Sequence, residues 1–218
     1  MARPHLVIFD CDGVLVDSEP VVNAVESAYF ATLGYDVDPV EARRRFQGKT
    51  VGQVADAIAA AIGHPLDAEA LYAWGMTTAV GLVESLQAVP GVRDVIAMVR
   101  DRGVPSCVAS QSPLPRVRLS LHVTGLAPYF GDHVFTASMV ARPKPAPDLF
   151  LHAARAMGVD PARCVVIEDS PSGVIAARDA GMTAIGYAAD ADADALAAAG
   201  AVVAHTMPAV ARLLALDA

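Results

Sequence analysis

The sequence predicts an α/β protein built on a doubly wound parallel sheet, with an all-helical segment inserted near its start. Two observations predict this class. Short, continuously apolar runs alternate with segments of helical periodicity, which is typical of a parallel sheet covered by helices on both faces. The first apolar run is then followed by about 70 residues of helical pattern without a convincing strand, too long for a simple crossover.

The predicted strands are short apolar runs, and the predicted helices carry apolar residues at helical spacing. The alternation of the two along the chain is what a series of strand–helix–strand units requires. The predicted strands are residues 6–9, 104–109, 164–167, 183–187 and 201–203, and the helices between them are residues 92–102, 147–157 and 173–180.

Residues 18–88 are predicted to form a separate helical subdomain, because they depart from this alternation. The chain would leave the sheet domain after the first strand and return to it before the second. This interpretation divides the protein into an α/β core, residues 1–17 and 89–218, and a helical cap, residues 18–88. Trp74 and Tyr72 are expected to pack in the interior of the cap or at the hinge.

The composition excludes several classes of protein. An apolar content of 54% in 218 residues is too high for a disordered chain. A net charge of −8, from 24 acidic and 16 basic residues, disfavours a nucleic acid as partner. No apolar stretch approaches the roughly 18–20 residues of a membrane-spanning helix, and the first residues are not expected to form a secretory signal. We therefore expect a cytoplasmic protein without a membrane or nucleic-acid partner; the oligomeric state is left open, with a monomer among the options.

The three cysteines also favour a cytoplasmic location. Cys11, Cys107 and Cys164 lie in or beside apolar runs, and none of them has C-x-x-C spacing. An odd number of cysteines without such spacing favours reduced, buried thiols over disulfides or a metal site.

Pairs of acidic residues follow two of the predicted strands. Asp10 and Asp12 come directly after the first strand and are followed by Gly13, whereas Glu168 and Asp169 follow the strand at 164–167. An Asx-type turn at a strand end is the alternative for the first pair. Since the carboxyl ends of parallel strands meet at one edge of a sheet, the two pairs are expected to converge and offer hard oxygen ligands to Mg²⁺.

A third predicted strand ends in Ser110-Gln111-Ser112, where a hydroxyl and the amides of the next helix could hold a phosphate oxygen. Helix capping is the alternative for both serines, and for Ser112 it is the favoured one.

Lysine use in the chain is unusual. Of the 16 basic residues 14 are arginine, and only Lys49 and Lys144 are lysine. A compact ammonium can act as a point charge on a phosphoryl group where the planar guanidinium cannot, so a retained lysine indicates such a role. Lys144 lies in a rigid R-P-K-P turn just before a predicted helix; chance survival on the surface is the alternative for either lysine.

These motifs together resemble those of the haloacid dehalogenase superfamily, in the branch that has a helical cap after the first strand. That branch includes phosphoglycolate phosphatases, β-phosphoglucomutases and sugar-phosphate phosphatases. The resemblance spans essentially the whole chain, and its four motifs occur in order at the ends of predicted strands. The motifs are Phe9–Val14, with the pattern F-D-x-D-G-V; Ser110; Lys144-Pro145; and Glu168-Asp169-Ser170, followed by Gly173 and residues 180–182.

The resemblance implies a role for each catalytic residue. Asp10 is the implied nucleophile, which forms an aspartyl-phosphate, and Asp12 the implied general acid and base. Ser110 and Lys144 are expected to bind the phosphoryl oxygens.

It also implies that Mg²⁺ is the cofactor. Its expected ligands are the Asp10 carboxylate, the Asp12 main-chain carbonyl and Asp169. Glu168 is either a further ligand or a support for the others.

The substrate expected from the resemblance is a small phosphorylated metabolite, such as a sugar phosphate. Gln111, beside Ser110, and Glu19, just past the first hinge, are expected to face it, although a solvated acid at a helix start is the alternative for Glu19. Gly48 and Lys49 are interpreted as the substrate loop of the cap. The G-K-T sequence there is not a nucleotide-binding P-loop, because Arg43 occupies the position of the required glycine.

Other functions stay open at this point. A sugar-phosphate mutase of the same branch carries a histidine at the position of Val22, so its absence favours a phosphatase. A catalytically silent relative that only binds the metabolite would retain all four motifs. A receiver domain also uses clustered acids and a lysine, but it lacks an insertion of this size. The charged run Arg43–Arg45 is interpreted as a solvated face of the cap.

Overall fold

The computed structural model describes residues 3–46 and 49–214, and its sheet has the predicted class. The main sheet contains six strands, all parallel, in the order β5-β4-β1-β6-β7-β8. A second, two-stranded sheet pairs β2 with β3 antiparallel. The strands are β1 (Leu6–Phe9), β2 (Val16–Asp17), β3 (Gln87–Ala88), β4 (Ser106–Ser110), β5 (Val134–Thr136), β6 (Cys164–Glu168), β7 (Thr183–Tyr187) and β8 (Val202–Ala204).

Helices cover both faces of the main sheet and fill the long connection after β1. The described residues form α1 (Glu19–Thr32), α2 (Pro39–Phe46), α3 (Val51–Ile62), α4 (Ala68–Ser85), α5 (Val92–Asp101), α6 (Leu114–Val123), α7 (Ala127–Phe130), α8 (Asp148–Ala156), α9 (Pro171–Asp179), α10 (Ala193–Ala199) and α11 (Met207–Leu213). None of these helices is long and apolar enough to cross a lipid bilayer.

The side chains of β1 alternate between two hydrophobic clusters, one on each face of the sheet. Val7 and Phe9 belong to one cluster, and Leu6 and Ile8 to the other. All four side chains are fully buried, which is why the strand reads as a continuous apolar run instead of an alternating one. Burial on both faces is the expected state of a doubly wound sheet.

Helices α1 to α4 surround a third hydrophobic cluster of their own. Phe30 lies at its centre, and its ring packs edge-on against those of Phe46 and Trp74. Trp74 is buried as predicted, but the expectation for Tyr72 was wrong, because its side chain is largely exposed on α4. The helical segment therefore has a small aromatic core separate from the two clusters of the sheet.

Three short strands were not predicted: β2, β3 and β5. Gln87 was assigned to the helical stretch, but it pairs with Asp17 in the β2–β3 ribbon, which joins the two chain crossings between the sheet and the helical segment. β5 is only three residues long, and its V-F-T sequence is too short to show a periodic pattern. All three strands depend on pairing with distant residues, and a local pattern does not report such pairing.

Candidate active site

The site lies at the carboxyl ends of β1, β4 and β6. β1 occupies the middle of the sheet: β4 and β5 lie on one side of it, and β6 to β8 on the other. This is the topological switch point of the sheet, where ligands bind in open α/β folds. In the observed register Phe9 is opposite Val108 on one side and Ile167 on the other. The residues that follow these three positions therefore emerge at the same edge.

Lys144 joins all three of these strand ends. Its Nζ donates hydrogen bonds to Asp10 Oδ1 at 2.6 Å, to Glu168 Oε1 at 2.6 Å and to the carbonyl of Ala109 at 2.9 Å. The side chain is almost fully buried. Burial disfavours the charged ammonium, but the two carboxylates outweigh it and raise the pKa of Lys144. The lysine is therefore a fixed positive charge at this edge of the sheet.

Asp10 experiences opposing influences. The pKa of its carboxyl is raised to about 7. Burial is the largest cause, Glu168 adds to the rise, and Lys144 opposes it. Because Oδ1 accepts the hydrogen bond from Lys144, Oδ2 is the oxygen without a donor among the described residues. One oxygen is thus anchored while the other is free to react or to bind a cation.

Both carboxylate oxygens of Glu168 are occupied. Oε1 accepts from Lys144, and Oε2 accepts from the backbone N–H of Ser170 at 3.0 Å and its hydroxyl at 2.8 Å. Gly173 makes room for this arrangement, since a Cβ at that position would lie 1.8 Å from Glu168 Oε1. Of the two roles expected for Glu168, these contacts favour support of Lys144 over direct coordination of a metal.

Asp12 is held by three donors. Its Oδ1 accepts from the Ser18 hydroxyl at 2.5 Å and from Arg116 at 3.2 Å, and its Oδ2 accepts from the Ser112 hydroxyl at 2.6 Å. Burial alone would raise the pKa of Asp12, but Arg116 and the two hydroxyl groups outweigh it and lower that pKa. The carboxylate is therefore held in its ionised form.

The interpretation of Ser112 as a helix cap was wrong. The residue before α6 is Pro113, and the structure shows no side-chain cap there. Ser112 turns instead to Asp12, while its backbone N–H donates to Ser110 Oγ at 3.1 Å. Sequence reasoning also missed Ser18 and Arg116. Ser18 follows the first motif closely enough to have been considered, whereas nothing in the local pattern indicated Arg116.

Asp169 lies over the turn that follows Asp12. A Cβ on Gly13 would lie 2.0 Å from Asp169 Oδ2, and Gly13 has a φ of +81°, so glycine is required there on both counts. Within the described chain the Asp169 carboxylate accepts no hydrogen bond. Burial raises its pKa well above the usual range, and Glu168 and Asp10 raise it further.

These contacts leave the site with an excess of negative charge. Asp10, Glu168 and Asp169 interact with one another, and only Lys144 neutralises them from within the group. No three His, Cys, Asp or Glu side chains in residues 3–46 and 49–214 are grouped as a preformed metal site. The donor set nevertheless fits Mg²⁺, which binds through one or two carboxylates and completes its shell with water and phosphate oxygens.

A cavity of about 130 Å³ lies between this edge and the helical segment. Ser110 and Gln111 line it from the sheet side; Gln111 Nε2 is 3.4 Å from the carbonyl of Lys144. Glu19 and Lys49 line it from the helical side, where Lys49 Nζ is 6.0 Å from the centre of the Phe46 ring. Gly48, the other predicted loop residue, lies outside the described residues.

Glu19 is bound to a residue that the sequence placed in solvent. Arg43 Nε is 2.6 Å from Glu19 Oε2, and another nitrogen of the same guanidinium is 3.4 Å from the carbonyl of Asp190 in the sheet domain. The expectation of a purely solvated face was therefore wrong for Arg43. This side chain connects α1, α2 and the loop after β7.

The geometry can be compared with known proteins. Residues 4–181 match the family model described as haloacid dehalogenase-like hydrolase. This chain belongs to that family. The match confirms the family predicted from the four motifs, and it covers every strand that contributes to the site.

Several curated relatives of the chain are phosphatases. It is 32% identical over 191 residues to 6-phosphogluconate phosphatase of Escherichia coli K12, covering 87% of this chain and 85% of the relative. It is 37% identical over 181 residues to fructose-1-phosphate phosphatase YqaB of the same organism, covering 82% and 94%. A HAD family hydrolase from Deinococcus radiodurans R1, solved with bound phosphate and sodium, is 31% identical with a TM-score of 0.79, covering 99% and 98%.

Proposed function

We propose that this protein is a phosphatase that hydrolyses the monoester of a small phosphorylated metabolite, a sugar or polyol phosphate, through an aspartyl-phosphate on Asp10. The observation that carries the proposal is the contact of Lys144 with Asp10 and Glu168 beside an Asp12 held by three donors. Phosphoryl transfer depends mainly on alignment and charge neutralisation, and this arrangement supplies both. The named relatives hydrolyse phosphate esters, which supports the same class.

Asp10 acts as the nucleophile. Lys144 fixes one oxygen of the carboxylate, and the other forms a bond to phosphorus while the bond from phosphorus to the leaving oxygen breaks. Lys144 and Ser110 face the phosphoryl group, whose oxygens take on negative charge during transfer.

Asp12 moves the protons. Asp12 first takes up a proton from solvent or from the substrate monoester, and in the first step it gives that proton to the leaving oxygen and becomes ionised. In the second step it takes a proton from the attacking water, which restores it for the next turnover. That water breaks the bond between phosphorus and Asp10, which releases phosphate and restores the carboxylate. Ser18, Ser112 and Arg116 orient Asp12 and stabilise its ionised form, which is the form required in the second step.

Asp10, the Asp12 main-chain carbonyl and Asp169 would hold Mg²⁺, with Glu168 as a support. When bound, the ion neutralises charge on the phosphoryl group and on the carboxylates. The excess of carboxylates over Lys144 supports this assignment, as does the absence of a hydrogen-bond donor to Asp169 in the described residues.

The helical segment acts as a cap over the site. We propose the division given by the sequence, with a core of residues 1–17 and 89–218 and a cap of residues 18–88. The cavity lies between the two. Arg43, which is paired with Glu19 within the cap, reaches the core through the Asp190 carbonyl. Closure of such a cap excludes water from the aspartyl-phosphate until the leaving group departs.

The test is release of inorganic phosphate from p-nitrophenyl phosphate and from a panel of sugar and polyol phosphates, with Mg²⁺ and with EDTA. We expect turnover only with the metal, and Asp10→Asn should lower it about a thousandfold or more. Asp132→Asn, at a fully exposed aspartate, is the matched control and should be unaffected. Absence of turnover in the folded, Mg²⁺-loaded protein would support the binding relative instead. Conversion of β-glucose 1-phosphate mainly to glucose 6-phosphate would support the mutase.

A further inference from the structure

A carboxyl group that none of the four motifs contains lines the cavity from the side of the helical segment. Glu26 lies on α1, is 7% exposed and lines the same cavity as Asp12 and Lys49. Its Oε1 accepts a hydrogen bond from the indole N–H of Trp74 at 3.0 Å. Its Oε2 has no donor among the described residues. Because Glu26 lines the cavity, a ligand there that supplies a hydrogen-bond donor to this oxygen would be favoured.

The charges around Glu26 indicate which ligand fits. The positive charge of Arg116 acts on Glu26, but this guanidinium is bound to Asp12. Burial raises the pKa of Glu26; Arg116 and the Trp74 N–H oppose that shift, and Asp12 adds to it. The carboxylate is therefore not neutralised by an ion pair. A hydroxyl group can donate to it, whereas a second carboxylate or phosphate on the substrate would be repelled.

We propose that Glu26 is a specificity-determining residue: it accepts a hydrogen bond from a hydroxyl of the leaving group and disfavours substrates that carry a second anionic group there. The substrate class is then a neutral sugar or polyol monophosphate, in preference to a sugar-acid phosphate or a bisphosphate. This inference rests on the proposed phosphatase function, and it concerns the end of the substrate away from the phosphoryl group.

Two six-carbon substrates test the inference directly. Glucitol 6-phosphate and 6-phosphogluconate differ only at C1, which is a CH₂OH group in one and a carboxylate in the other. We expect the wild type to prefer glucitol 6-phosphate in kcat/KM, and Glu26→Gln to reduce that preference about tenfold. Glutamine keeps the shape and the acceptor for Trp74 but lacks the charge. Glu84→Gln, the same change at an exposed position of α4, should leave the preference unchanged.

A binding measurement separates this inference from the proposed function. Trp74 is the only tryptophan in the chain and is bonded to Glu26, so its fluorescence reports ligand binding at this position. In an Asp10→Asn background without turnover, the two substrates are titrated with and without Glu26→Gln. We expect tighter binding of glucitol 6-phosphate, and a loss of that selectivity in the double variant.

The outcomes are distinct. Selective binding that depends on Glu26 supports the inference, even if the wild type hydrolyses nothing and the proposed function fails. Hydrolysis whose preference between the two substrates is unchanged in Glu26→Gln would overturn the inference and leave the phosphatase standing. A wild-type preference for 6-phosphogluconate would also overturn it. The positive charge of Lys49, which lines the same cavity, would then determine the preference.

Discussion

Two glycines set the position of the acidic side chains at the site. A Cβ on Gly13 would overlap the Asp169 carboxylate, and one on Gly173 would overlap that of Glu168. Gly13 also has a positive φ, so a substitution there combines overlap with Asp169 and strain of the backbone. Gly173 lies in the first turn of α9 with ordinary helical geometry, so a substitution there tests the space alone. Both glycines are therefore part of the site although neither can react.

The first prediction concerns Gly173→Ala. The added methyl group meets a Glu168 that cannot move aside, because Lys144 and Ser170 hold both of its oxygens. We expect kcat/KM for p-nitrophenyl phosphate to fall about tenfold or more, since overpacking by a methyl group costs about 1–3 kcal/mol. Gly75→Ala, at an exposed helical glycine with no atom within 4 Å of the new Cβ, is the control. Equal activity of the two variants would contradict the account of Glu168.

At the scale of the element, a capping box holds the first turn of α3, directly after the loop at Lys49. Thr50 and Gln53 form a capping box: the Thr50 hydroxyl accepts from the Gln53 backbone N–H at 3.3 Å, and the Gln53 side chain accepts from the Thr50 backbone N–H at 2.8 Å. Two helix-end donors are satisfied in this way. The helix then directs Val54 and Ile58 into the cluster around Phe30.

The second prediction is that Thr50→Ala lowers the free energy of unfolding by about 1 kcal/mol, the usual effect of losing a helix N-cap. Urea unfolding followed by circular dichroism measures it. Thr77→Ala removes a hydroxyl inside α4 that only bonds to the carbonyl one turn earlier, so it should be neutral or slightly stabilising. If Thr50→Ala also raises KM while Thr77→Ala does not, the capping box also positions the loop at Lys49.

At the scale of the whole molecule, the sequence concentrates negative charge where the fold brings strand ends together. The chain carries a net charge of −8, and several of its acids converge on one edge of the sheet. Such a cluster destabilises the folded state unless a cation is bound, because burial strengthens the repulsion between carboxylates. The folded state without a cation is therefore less stable than it would be without these charges, which the function of the site requires.

The third prediction follows for Asp169→Asn. Without metal this variant should unfold at a temperature a few degrees above that of the wild type, since one repelled carboxylate is removed. Added Mg²⁺ should raise the unfolding temperature of the wild type more than that of the variant. Differential scanning fluorimetry measures both shifts, with Asp132→Asn as the exposed control. An unchanged or lower unfolding temperature for metal-free Asp169→Asn would show that the acids are compensated by other groups.

Much of the fold could be predicted because its signals are local. β1, β6 and β7 are apolar runs that pack on both faces, so their positions follow from the sequence with small shifts at the ends. β5 and the β2–β3 ribbon could not be predicted, because strands of two or three residues are defined by their partners. The same limit applied to Tyr72, whose exposure depends on which face of α4 meets the rest of the helical segment.

The sequence by itself determined which polar residues follow the strands, and hence that Asp10, Ser110 and Glu168 would meet at one edge of the sheet. Because these strands are parallel and paired in register, their carboxyl ends lie side by side. Only the tertiary structure decided what each side chain contacts: Arg116 binds Asp12 across 104 residues of sequence, and Trp74 binds Glu26 across 48. Contacts between such distant residues arise from the packing of separate elements, and no local pattern of residues encodes them.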